Sequence, residues 1–108
     1  MVKKSSSAKV DLEQIFKTIR PHMEEIINKF NVDIIGFIGS YLRGEQKEEG
    51  DLGFFIKFKS PTIKPEISKQ LNKFLEDEFD CKIDLTIENQ IDEKLKYKII
   101  KDVEFIEG

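Results

Sequence analysis

The chain has 108 residues, 39% of them apolar and 36% charged, with a formal net charge of −3. That length suits one domain around one core, and the acidic balance argues against general binding to nucleic-acid backbones, which calls for a net basic face. A single cysteine, Cys81, excludes an internal disulfide and reads as a buried thiol of a cytoplasmic protein. No run of about 18 apolar residues occurs, so no segment is expected to span a membrane.

Met1 to Lys9 carries Lys3, Lys4 and a serine run without an apolar stretch. It reads as a disordered tail rather than a signal peptide, followed by one domain over 10–108. From Leu12 to Phe30, apolar residues recur at intervals of three and four, which predicts an amphipathic helix. Asp11 with Gln14 resembles a capping arrangement at its start. Pro21 lies inside the stripe, where it removes a donor and crowds the preceding turn, so the helix is expected to kink or restart there.

Val32 to Ile38 is β-branched and almost wholly apolar, as a buried strand would be. It runs into Gly39-Ser40, and a short helical turn is expected from about Ser40 to Glu45. Leu52 to Phe58 predicts a second strand. Leu52, Phe54, Ile56 and Phe58 share one face; Asp51, Gly53, Phe55 and Lys57 share the other. Pro65 suits the first turn of a helix carrying Ile67, Leu71, Phe74, Leu75 and Phe79. Lys82 to Ile87 is a third strand with Asp84 near its middle. Asp92 is placed to cap a last helix with Leu95 and Ile99, and Val103 to Ile106 to add a short strand. The order predicts an α/β (α+β) domain with a mixed sheet of three or four strands packed with helices.

Chemistry concentrates where the first strand ends. Glycine at position 39 allows close backbone approach to a ligand. A helical turn opening at Ser40 presents unpaired N–H groups and a hydroxyl, which suit a phosphate. Arg43 lies on the same face of that turn and can add a charge-assisted contact. A simpler account makes Ser40 a helix cap and Arg43 a surface ion-pair residue. Asp51 and Asp84, on neighbouring strands, can converge beside the turn as ligands for Mg²⁺. Asp84 sits among Ile83, Leu85 and Ile87, and a bare charge there is costly without a partner. His22 reads as a surface or half-buried helix residue, and Tyr41 as packing on the first helix, with lining of the ligand pocket as the alternative.

The segments Gly39-Ser40-Tyr41-Leu42-Arg43-Gly44, Gly50-Asp51-Leu52-Gly53 and Ile83-Asp84-Leu85-Thr86 together resemble the minimal nucleotidyltransferase family of the DNA polymerase β superfamily. The resemblance covers roughly Val10 to Ile106. It implies a nucleotidyltransferase fold in which Gly39 and Ser40 bind the triphosphate of ATP. It also implies that Asp51 and the position two residues later hold two Mg²⁺ ions, and that Asp84 ligates one and helps deprotonate the attacking hydroxyl. The implied reaction transfers AMP and releases pyrophosphate; the implied partner is a HEPN-type ribonuclease toxin, for which such a chain acts as antitoxin. One position departs from the pattern: Gly53 stands where the family carries a second aspartate. Weakened transfer is therefore expected, with Glu45, Glu48 or Glu49 as candidates to compensate and Gly53→Asp expected to restore activity. The alternative is an inactive member that works by binding its partner.

Overall fold

The computed structural model describes residues 11–42 and 51–106. The proposed tail, Arg43 and the glutamates at 45, 48 and 49 lie outside the described residues.

The first helical stripe is divided by its proline. Helix α1 (Leu12–Ile19) opens on Asp11, whose Oδ1 accepts the Gln14 N–H at 3.0 Å. A 3-10 turn, Arg20–His22, holds Pro21, and α2 (Met23–Lys29) restarts beyond it. Strand β1 (Val32–Ile38) leads into a second 3-10 turn, Gly39–Tyr41. Strand β2 (Leu52–Phe58) follows, then α3 (Pro65–Phe79) and β3 (Ile83–Ile87). A turn at Glu88–Gln90, helix α4 (Glu93–Ile100) and β4 (Val103–Phe105) complete the chain. Asp92 occupies the position before α4 without a side-chain cap. The Lys96 N–H instead reaches its backbone carbonyl at 2.8 Å.

The sheet order is β3-β2-β1-β4. β1 runs antiparallel to both β2 and β4, whereas β2 and β3 are parallel and joined across α3. A parallel pair needs such a crossover, and an amphipathic helix supplies one while covering the sheet. Between Val32 and Ile34 the register slips. This bulge lets Val32 and Ile35, an odd number of residues apart, both enter the main core.

Strand alternation then sorts the two faces. Phe37, Phe54 and Ile56 are fully buried with Ile15 and Ile19 of α1, Ile26 of α2, and Leu71 and Leu75 of α3. His22 tethers the proline turn to α3, with its ring edge-on to Phe74 at 5.2 Å and Nε2 3.1 Å from Glu78. It takes no part near the candidate motifs. The opposite face is thinner. Ile38, Phe55 and Val103 form a second cluster, with Tyr41, Ile91 and Ile99 packed against it. Gly36 admits β4 at this end, since a Cβ there would lie 2.3 Å from a Val103 methyl. The thin face carries Gly53 and Asp84.

Candidate functional site

The parallel register pairs Leu52 with Ile83 and Gly53 with Asp84. Because side chains alternate, Asp51, Gly53 and Asp84 fall on the thin face of the sheet. The motif residues on β2 and β3 are thus neighbours in space, as expected from the sequence. Asp51 lies one residue before β2, exposed, and is tied to the start of β3. Its N–H donates to the Lys82 carbonyl at 2.9 Å, and its Oδ2 accepts the Lys82 N–H at 3.4 Å.

Asp84 is half-buried, and the structure supplies the partner that its charge demands. The Tyr41 hydroxyl donates to Asp84 Oδ2 at 2.9 Å. Hydrogen bonds to a charged group contribute about 1.5–3 kcal/mol each. The ring of Tyr41 reaches that oxygen by lying over Gly53. A Cβ at position 53 would meet Tyr41 ring carbons at 2.1, 2.5 and 2.6 Å, distances that real Cβ atoms do not tolerate. Tyr41 is therefore a site residue. It packs against both clusters and also lines the adjoining cleft, the two roles the sequence offers for it. Its contact with Asp84 has no counterpart in the sequence pattern. The available signal was the missing side chain at 53, a volume that an adjacent aromatic residue can fill.

The Gly39-Ser40 corner is compact. Gly39–Tyr41 makes one 3-10 turn, shorter than the helical turn expected to run to Glu45. Ser40 is buried. The Gly39 N–H donates to the Asp102 carbonyl at 2.9 Å, and the Ser40 N–H donates to Asp102 Oδ2 at 2.8 Å. Asp102, at the α4–β4 junction, thus occupies both amides proposed to cradle phosphate, the Ser40 amide through its carboxylate and the Gly39 amide through its backbone carbonyl. Nothing in the sequence pointed to this contact, which spans 62 residues. It does show that the Ser40 amide is directed at an anionic oxygen, the interaction a phosphate would require.

Ile38, Tyr41, Asp84, Leu85, Thr86, Leu95 and Ile99 line a cleft of about 510 Å³ beside these groups. Its size falls within the range of small-molecule sites, and polar and apolar groups share its wall. One wall is α4, held to the preceding turn by Lys96. Lys96 Nζ lies 2.7 Å from Glu88 Oε2, and this hydrogen bond raises the lysine pKa above its usual range.

The donor set limits what metal the site can take. Among the described residues, no group of three His, Cys, Asp or Glu side chains is arranged to hold a metal ion. Asp51 and Asp84 are the carboxylates that the adjacent strands bring to this end of the sheet, oxygen donors of the kind Mg²⁺ takes, and Gly53 supplies no third.

A family profile described as "Polymerase beta, Nucleotidyltransferase" matches residues 21–107. Among relatives, the chain is 28% identical to protein adenylyltransferase MntA of Thermococcus cleftensis over 100 residues, covering 92% of this chain and 99% of that protein. It is 34% identical over 82 residues to MJ1215 of Methanocaldococcus jannaschii, named as a candidate protein adenylyltransferase, covering 74% of this chain and 92% of that protein. A solved structure described as a candidate minimal nucleotidyltransferase superposes with a TM-score of 0.62 at 20% identity, covering 82% of this chain and 92% of that one. A second, described as a mutant MntA toxin–antitoxin complex, gives a TM-score of 0.59 at 18% identity, covering 91% of this chain and 72% of that one. At those identities the superpositions establish a shared fold. No helix among the described residues is long and apolar enough to cross a membrane.

Proposed function

Because the chain belongs to the polymerase β-type nucleotidyltransferase family, among its minimal nucleotidyltransferases, we propose that it binds ATP where β1, β2 and β3 meet and transfers AMP to a hydroxyl of a partner protein. The proposed partner is a HEPN-type toxin, a reading supported by the toxin–antitoxin complex among the fold's neighbours. The proposed compartment is the cytoplasm.

The observation that carries this reading is the contact between Asp84 and a hydroxyl at 2.9 Å. A general base must stand within hydrogen-bond reach of the proton it accepts, and Asp84 has that reach toward an O–H on the open face. Its proposed role is to hold the acceptor hydroxyl and take its proton as the oxygen attacks the α-phosphorus. The O–P bond to the acceptor forms, the α–β bridge breaks, and pyrophosphate leaves. Gly39 and Ser40 are assigned to the triphosphate through their amides and the Ser40 hydroxyl, with Arg43 adding positive charge. Asp51 and Asp84 would hold one Mg²⁺, which supplies charge neutralisation on the phosphates when bound. The apolar cleft wall at Ile38, Leu95 and Ile99 suits the face of a nucleobase.

The proposed transfer requires two exchanges: phosphate oxygens of ATP replace Asp102 on the Ser40 amide, and the acceptor hydroxyl replaces Tyr41 on Asp84. Titration calorimetry with ATP and Mg²⁺ tests the pocket, with Ser40→Ala and Asp51→Ala as controls. Saturable heat lost in both variants is expected; no heat from the parent chain would rule the pocket out.

The Tyr41 ring over Gly53 specifically favours a second reading, in which transfer is weak or lost and the chain neutralises its partner by binding it. Mixing the protein with labelled ATP, Mg²⁺ and the partner separates the two. Robust label on the partner excludes the second reading. A stable unlabelled complex excludes the first.

A further inference from the structure

Gly53 brings no carboxylate to the site, but its neighbours make it one half of a fitted pair. Glycine weakens a strand interior, so its presence there calls for a close approach by something else. That something is Tyr41, whose ring atoms stand 2.1–2.6 Å from where a Cβ would be. The ring is packed against both hydrophobic clusters, so its seat is built rather than incidental. Its hydroxyl ends 2.9 Å from Asp84 Oδ2, on the residue that pairs with Gly53 across β2 and β3.

We propose that Tyr41 is an internal competitor of the divalent cation: its phenol holds Asp84 in the resting chain, and a cation binds Asp84 only after Tyr41 has left its seat over Gly53. The inference rests on the reading of Asp84 as a cation ligand. It adds a gate to that reading. The donated hydrogen bond occupies Asp84 Oδ2, and the ring over Gly53 stands on the side of Asp84 that faces β2, so the phenol and its ring together compete with a cation for this carboxylate. The cation therefore meets a site whose competent form is a minor fraction of the population, and its apparent affinity falls by that fraction. The acceptor hydroxyl of a substrate faces the same occupant.

The chain itself carries the reporter. It has two tyrosines and no tryptophan, so in a Tyr97→Phe background Tyr41 is the only strong emitter. A phenol donating to a carboxylate is quenched, and its release raises emission. Titrating that variant with Mg²⁺ and tripolyphosphate, neither of which absorbs, is expected to raise tyrosine emission along the same isotherm as binding. In parallel, Mn²⁺ affinity is measured by electron paramagnetic resonance on the parent, Tyr41→Phe, Tyr41→Ala and Asp84→Asn. Tyr41→Ala is expected to bind about tenfold tighter or more. Tyr41→Phe keeps the ring and the fold while losing the hydrogen bond, and is expected to lie between parent and Tyr41→Ala. Asp84→Asn is expected to bind least. Equal affinity in parent, Tyr41→Phe and Tyr41→Ala, with emission unchanged on binding, would overturn the gate and leave the cation reading intact. Failure of every variant to bind Mn²⁺ would overturn both.

Discussion

Gly53 and Asp84 face each other across the parallel pair β2 and β3, and Tyr41 spans both, its ring over the glycine and its hydroxyl on the carboxylate. A ring from another element thus fills the space where position 53 carries no side chain. This changes what a restoring substitution must do.

Gly53→Asp alone cannot seat its side chain with Tyr41 in place. Overpacking of this kind costs about 1–3 kcal/mol. Urea denaturation should show a loss in that range, and AMP transfer should not recover as simple carboxylate restoration would suggest. Adding Tyr41→Ala vacates the space. The double variant is expected to regain stability relative to Gly53→Asp and to exceed the parent in transfer of labelled AMP. A large gain from Gly53→Asp alone would contradict the packing argument.

Asp102 satisfies the amide of a buried serine. Removing an acceptor from a buried donor costs about 1–3 kcal/mol. Asp102→Ala should lose that much in equilibrium unfolding. Asp102→Asn keeps an acceptor oxygen on the same stem and should lose less than half as much. Equal losses would mean that the carboxylate's charge, rather than the hydrogen bond, is what matters.

The two faces of the sheet should respond differently to truncation. Leu75 is fully buried in the main core, and Leu75→Ala should cost about 2–5 kcal/mol. Leu95 on α4 is 50% exposed, and Leu95→Ala should stay within about 0.5 kcal/mol. Thermal melts of both variants check the contrast.

Lys96 links stability to alkaline pH. Its pKa is raised in the folded chain, chiefly by the hydrogen bond to Glu88. A raised lysine pKa stabilises the fold while the unfolded chain's lysine is also protonated. That contribution persists from neutral pH up to the ordinary lysine range and disappears as pH rises through the folded value. The stability difference between parent and Lys96→Met should therefore be flat around neutrality, shrink above the ordinary lysine range, and diminish with added salt. A difference that grows with alkaline pH would contradict the assignment.

Much of this arrangement is local in origin and so was legible in the sequence. Alternation along Leu52–Phe58 separated the core face from the site face, and both faces are as read. Pro21 divided the first helix, and Asp11 capped it, because both effects act within one turn. The meeting of Gly39, Asp51 and Asp84 at one end of the sheet followed from adjacent strands and period two. The occupants of the site were not legible. Tyr41 reaches Asp84 across 43 residues and Ser40 meets Asp102 across 62, and neither contact has a local pattern. Asp92 had the right residue type for a cap, yet its side chain does not cap α4. Propensity favours such a contact without compelling it.

The last strand has a consequence beyond completing the sheet. β4 is three residues long, lies at an edge, and begins directly after Asp102. Short edge segments open at low free energy compared with the whole domain. When β4 lifts away, the backbone of β1 is bared and the Gly39 and Ser40 amides lose their acceptor in the same event. Amide hydrogen exchange at Gly39 and Ser40 should therefore track exchange in β4 rather than in β2. An anion that takes the Ser40 amide, and another chain's strand that takes the β1 edge, would then draw on one local opening and favour each other.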